Sequence, residues 1–203
     1  MTGTLAACTT PATYDALRAG LAALGWQEMP VADITPAEAA MFALRPLAAK
    51  VPADVAPAPG HWRDEWDAAV LAVSGWQNLG PEVPPAFRAF FRTGTSVLRV
   101  DSAPLGPRQM IRCQIVAAGP DLPDTTAAAT GTAGGALPPV HWFPAPAATP
   151  ASGALFADPA VYAALLSASG VAAAIGSPLA APAGDAVIIV QTDIIFDPKL
   201  VQK

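Results

Sequence analysis

The chain reads as an α+β domain, with N-terminal helices and a mostly antiparallel sheet built from a hairpin near 96–118 and a C-terminal strand near 186–196. Three observations predict this. Thr-Pro punctuation and helical apolar spacing dominate the first third, a two-residue alternation takes over between Leu98 and Ala117, and a β-branched run closes the chain. With 203 residues, 53% of them hydrophobic and only 13% charged, the composition provides for a core and argues against disorder by charge. Residues 1–203 are therefore read as one domain.

Thr10-Pro11 offers an N-cap and a first-turn proline ahead of Tyr14, Leu17, Leu21 and Leu24, with Gly25 as a stop, which predicts a helix over 11–24. Thr35-Pro36-Ala37-Glu38 is a capping box that launches a second helix through Leu44, where Pro46 interrupts. Residues 50–60 are rich in Pro and Ala and read as an extended connector. Trp62, Trp66, Ala69, Val70 and Val73 then share one helical face, with Arg63, Asp64 and Asp67 opposite, which predicts a helix over 62–73 whose tryptophan pair is core.

In the middle, Leu98 and Val100 alternate with Arg99 and Asp101, and Ile111, Cys113, Ile115 and Ala117 alternate with Arg112, Gln114 and Val116. Turn formers from Ser102 to Pro107 lie between them, which predicts a hairpin with a longer loop. The stretch 119–154 has no period and reads as an irregular loop segment around Val140-His141-Trp142-Phe143. Asp158-Pro159 predicts a helix to Ser169, ended by Gly170. Val187 to Phe196 predicts a strand that is buried on both faces or bulged at Gln191-Thr192-Asp193.

Groups that could do chemistry are scarce: two histidines, two cysteines and no nucleophile elbow. His61, Asp64, Glu65 and Asp67 offer a single imidazole for a metal, and Gly131-Thr132-Ala133-Gly134-Gly135 lacks the lysine of a phosphate loop. No catalytic residue, cofactor or metal is predicted, and the chain is read as a non-enzyme. Cys8 and Cys113 read as free thiols, which points mildly to a reducing compartment. No apolar run reaches the ~18–20 residues that span a bilayer, and no signal peptide is recognisable. The expected location is soluble, in a cytoplasmic assembly or a virion, with no membrane partner.

Charge carries the strongest contrast. Arg88, Arg92, Arg99, Arg108 and Arg112 occupy a stretch whose one acid is Asp101, whereas every charge between Arg112 and Lys199 is an aspartate, Asp185 and Asp193 among them. Guanidinium groups suit planar carboxylate or phosphate recognition, so these arginines with Asp185 and Asp193 form a candidate interface between copies packed head to tail. A solvated hairpin face paired within the chain is the plainer reading. A net charge of -5 argues against nucleic acid as the main partner. Trp76 and Trp142, placed on loops, are candidates for contact with a ligand or partner.

These features predict a structural subunit of a large assembly, of the capsid, neck or tail type found in virions, whose partners are copies of itself and neighbouring assembly proteins. A carbohydrate- or small-ligand-binding module using the loop tryptophans is the alternative.

Overall fold

The computed structural model describes residues 2–49, 61–76, 87–121, 140–144, 160–179 and 186–201. The predicted class holds: helices lead the chain, and a single antiparallel sheet follows them. The helices are α1 (Thr2–Thr9), α2 (Tyr14–Ala23), α3 (Pro36–Ala49), α4 (His61–Gly75) and α5 (Ala168–Ile175). The strands are β1 (Gln27–Met29), β2 (Phe87–Thr93), β3 (Ser96–Leu105), β4 (Arg108–Ala118), β5 (Val140–Pro144), β6 (Ala160–Ser167) and β7 (Ala186–Phe196), in the spatial order β1-β2-β3-β4-β7-β6-β5. Both faces of the sheet are covered. Leu17, Leu21 and Cys8 of α1 and α2 share one core with Leu98, Val100, Ile115 and Val190, while Phe42, Leu44, Val73 and Val171 of α3, α4 and α5 share the other with Phe90, Val97, Val116 and Ile189.

The capping box forms as the sequence predicts. Glu38 Oε2 accepts from the Thr35 backbone N–H at 2.8 Å, and Thr35 Oγ1 accepts from the Glu38 N–H at 3.3 Å. The helix does not stop at Leu44, however, but runs through Pro46 to Ala49. A proline inside a helix deprives the carbonyl four residues back of its donor. Here that carbonyl belongs to Phe42, and the side chain of buried Gln114 on β4 donates to it at 3.4 Å. The sheet thus supplies the hydrogen bond that Pro46 cannot.

The N-cap of α2 is Thr13, whose side chain accepts from Ala16 N, rather than the predicted Thr10. Thr10 instead bonds back to the Ala6 carbonyl at the end of α1, a helix whose small apolar residues show no periodic stripe. Three contacts fasten α1: Trp26 Nε1 donates to Thr4 Oγ1 at 2.9 Å, Thr192 Oγ1 donates to the Cys8 carbonyl at 3.5 Å, and Cys8 is disulfide-bonded to Cys113. The expectation of two free thiols is overturned. Cys113 does lie on the buried strand face that the alternation predicted, and the missed element α1 brings Cys8 over it with a Cα–Cα distance of 5.9 Å.

The predicted helix over 158–169 is corrected to a strand. Ala164, Leu165 and Leu166 are buried on alternating sides of a sheet covered on both faces, so the apolar run of β6 satisfies two cores at once, and pairing with β5 and β7 overrides alanine's helical preference. The helix begins later at Ala168, capped by Ser167, passes through Gly170 and stops at Gly176 with φ 65°. The hairpin loop is also shorter than predicted, because Leu105 pairs with Arg108 around Gly106-Pro107, with Gly106 at φ 61°. Pro104 is accommodated inside β3 beyond the described pairing of β2 with β3, which among the described residues runs only as far as Phe87 and Ser102. Residues 50–60 lie outside the described residues. Within 119–154, a 3₁₀ turn at Gly119–Asp121 and strand β5 are described.

Candidate functional site

Among the described residues, the helices on the α3 side pack against the half of the sheet nearest the β2–β3 turn. Beyond them the same face turns polar. In register across four neighbouring strands stand Arg88, Asp101, Arg112 and Asp193, a row of alternating sign. Arg88 Nε donates to Asp101 Oδ1 at 2.6 Å, and Arg112 holds both carboxylate oxygens of Asp193, Nε to Oδ1 at 2.7 Å and Nη2 to Oδ2 at 2.8 Å. Opposite charges directly across antiparallel strands stabilise the pairing, and a bidentate guanidinium fixes its geometry.

The adjacent row is Arg99, Gln114 and Gln191. Arg99 Nη2 reaches Asp101 Oδ2 at 2.6 Å, so one carboxylate serves two guanidiniums. Gln191 accepts from Arg45 Nε of α3 at 2.9 Å and donates to the Asp193 carboxylate. Trp76, at the end of α4, closes the edge: the Arg99 guanidinium lies 4.4 Å and that of Arg88 5.8 Å from its ring centre, and Phe90 stacks on it at 5.3 Å. Burial pulls the pKa of Arg99 below its ordinary value, with Asp101 opposing; the group stays cationic. On this shelf Arg88, Arg99 and Arg112 pair with the carboxylates of Asp101 and Asp193.

The polar triplet of β7 therefore needs no bulge. Gln191 is held by Arg45, Thr192 by the Cys8 carbonyl and Asp193 by Arg112, and the β4–β7 register runs unbroken from Val187 to Phe196. The arginines singled out in the sequence divide accordingly. Arg88, Arg99 and Arg112 come together on the shelf, Arg92 lies near the other end of β2 against Glu38 at 3.4 Å, and Arg108 is exposed at the hairpin turn. Asp185 lies outside the described residues. Trp76 is an anchor among Phe42, Phe90 and Arg99 rather than an open loop residue. For Trp142, His141 and His61 only the backbone is described, with Trp142 on β5 opposite Ala164. Trp62 is core, as expected, and Trp66 packs partly buried against it.

Periodicity does not reveal that Arg45, Gln191 and Asp101 join these arginines and Asp193 on one face, because their meeting depends on strand order. Among the described residues no three His, Cys, Asp or Glu side chains converge as a metal site would require, and no helix is long and apolar enough to cross a membrane. No protein-family model, curated protein or solved structure matches the chain significantly.

On the opposite face, Tyr14, Phe87, Ile111 and Phe196 line an apolar cleft of about 200 Å³ with Ser102 and Gln109 at its polar end. Tyr14 OH donates to Glu28 Oε1 at 3.0 Å, and Arg18 pairs with the same carboxylate. Burial, then the charge of Glu28, raise the Tyr14 pKa to about 12. The raised value favours the protonated phenol of the folded state, so its contribution is intact below pH ~10, where an unfolded tyrosine titrates, and is lost as pH climbs toward 12. An alkaline titration followed by phenolate absorbance should show one late-ionising tyrosine, absent in Tyr14→Phe; simultaneous ionisation of both tyrosines near 10 would contradict this arrangement.

Proposed function

We propose that the chain is a structural subunit that works by packing against other polypeptides, foremost copies of itself, with the arginine-rich shelf as its receiving surface. One observation carries this reading: a partly exposed patch on which Arg88, Arg99 and Arg112 share the carboxylates of Asp101 and Asp193 sits on a chain whose net charge is -5, so acidic surface is available on every other copy. The interface differs from a simple match of basic middle against acidic end, since Asp193 is already held by Arg112 of its own chain. A head-to-tail contact would use the residual positive charge of the shelf and acids from elsewhere on the surface.

The cystine between α1 and β4 supports an oxidising setting, an extracellular particle such as a virion included, over the reducing cytoplasm. Light scattering over a series of concentrations and salt strengths tests the assembly reading. The expected result is a mass above that of one chain at low salt that falls as salt screens the partly exposed charges. A single-chain mass under all conditions would remove the proposal.

A further inference from the structure

We infer that the cystine between Cys8 and Cys113 is a redox latch: a dithiol that reduces it releases α1 and the 10–12 connection, while the sheet and α2 stay folded. The released state uncovers the apolar face of β4 and β7 on that side. Three observations lead to it.

First, α1 has little hold of its own. Among its described residues only Thr4 and Cys8 are buried, while Leu5 and Ala7 pack half-buried against the core. The neighbouring α2 instead buries Leu17 and Leu21. A helix of eight residues with no large side chain fully buried is marginal in water without a further tie. Second, what the cystine secures is local. The other ties of α1 are the hydrogen bond from Trp26 to Thr4 and the 3.5 Å bond from Thr192 to the Cys8 carbonyl. The strands beneath are paired by the β3–β4, β4–β7 and β6–β7 ladders, none of which includes a residue of α1. Segments so unequally held open separately. Third, the connection that would leave with α1 walls the apolar cleft. Ala12 lines that cleft together with Ile111, and Ile111 and Cys113 stand two residues apart on one face of β4. Release of α1 therefore joins the cleft to the ground around Cys113 and Thr192.

One thiolate of the dithiol attacks a cystine sulfur, the S–S bond breaks, and the other cysteine leaves as a thiolate that takes up a proton. The second thiol of the reductant then displaces the cysteine still bound to it. Two electrons and two protons pass to the protein, and the dithiol departs as its own disulfide. Both cysteines are buried, so the first attack waits on a transient opening of α1. The latch is closed in oxidising surroundings and open in reducing ones.

The test is amide hydrogen exchange of the full chain, followed segment by segment with the cystine intact and after complete reduction by dithiothreitol. In the reduced chain the amides of α1 should exchange about tenfold faster or more, while those of β3, β4 and β7 remain the slowest in the molecule. Re-oxidation should restore slow exchange. Unchanged exchange of α1 on reduction would show that packing alone holds the helix, and would overturn the latch. Exchange of α1 and the strands at one common rate in the reduced chain would overturn it too, since the cystine would then secure the whole domain. Thr4→Val, with the cystine intact, supplies a second check: α1 should stay slow, and fast exchange there would make the hydrogen bond to Trp26 the catch instead.

Discussion

Replacing Cys8 and Cys113 together by alanine is expected to lower the free energy of unfolding by about 3–5 kcal/mol. The bond joins residues 105 apart in sequence, so the loop it closes in the unfolded chain is long, and the entropy withdrawn from the unfolded state grows with loop length. Two other contacts hold α1 without it. Thr4 would still bond Trp26 and Thr192 would still reach the Cys8 carbonyl, but neither is strong enough alone to hold an eight-residue helix, which is marginal in water. Guanidinium melts should show a lower midpoint for the double variant, and the parent chain unfolded and refolded in reductant should match it. Both sulfurs belong to residues no more than 1% exposed, so reductant added to the folded protein should act slowly. A double variant within 1 kcal/mol of the parent would mean that α1 is held chiefly by packing.

The same pair of cysteines shows where sequence reasoning reaches and where it stops. The alternation Ile111, Cys113, Ile115, Ala117 placed Cys113 on a buried strand face correctly, because a two-residue period is a local property of one strand. Cys8 was not placed at all. Its helix buries Thr4 and Cys8 among small residues, without the contrast between large apolar and polar side chains that marks an amphipathic stripe. The strand β6 failed for a related reason: a sheet covered on both faces asks for continuous apolar residues, and AVYAALLS satisfies a buried strand as readily as a buried helix. Strand β2 shows no alternation in the sequence, since Phe90 and Phe91 are neighbours that feed opposite cores.

The candidate site divides along the same line. Arginine enrichment between 88 and 112 and its counterpart in Asp193 were legible as composition. Their arrangement into one alternating row was not, because it requires β7 to lie beside β4, a neighbour distant in sequence. Gln114 is a sharper case. A buried glutamine on a strand looks unfavourable until Pro46, on a helix 68 positions earlier, is seen to release the one carbonyl it can serve. The burial of that polar group is explained only by the pair.

Asp101→Ala should cost about 2–4 kcal/mol, set below the range for fully buried pairs because the partners keep some contact with water. Asp101 is the one carboxylate that both Arg88 and Arg99 contact, and the side chains of Arg99 and Asp101 are only 19% and 16% exposed. Without it, Arg99 keeps its place over Trp76 but loses the charge that opposes its desolvation, and Arg88, Arg99 and Arg112 face one another across adjacent strands. The cost is then chiefly that of leaving a sequestered cation uncompensated, rather than the worth of the pair itself. These two origins separate cleanly by experiment. If the cost comes from the stranded cation, Arg99→Met added to Asp101→Ala should recover much of the lost stability, since a methionine of similar length can lie against Trp76 and Phe90 without a charge to satisfy. If the pair is worth its full price as an attraction, the double variant should be no more stable than Asp101→Ala. Thermal and denaturant melts of the parent, the two single variants and the double variant decide between them, and a loss under 1 kcal/mol for Asp101→Ala would show that water, not the carboxylate, balances the arginines of the shelf.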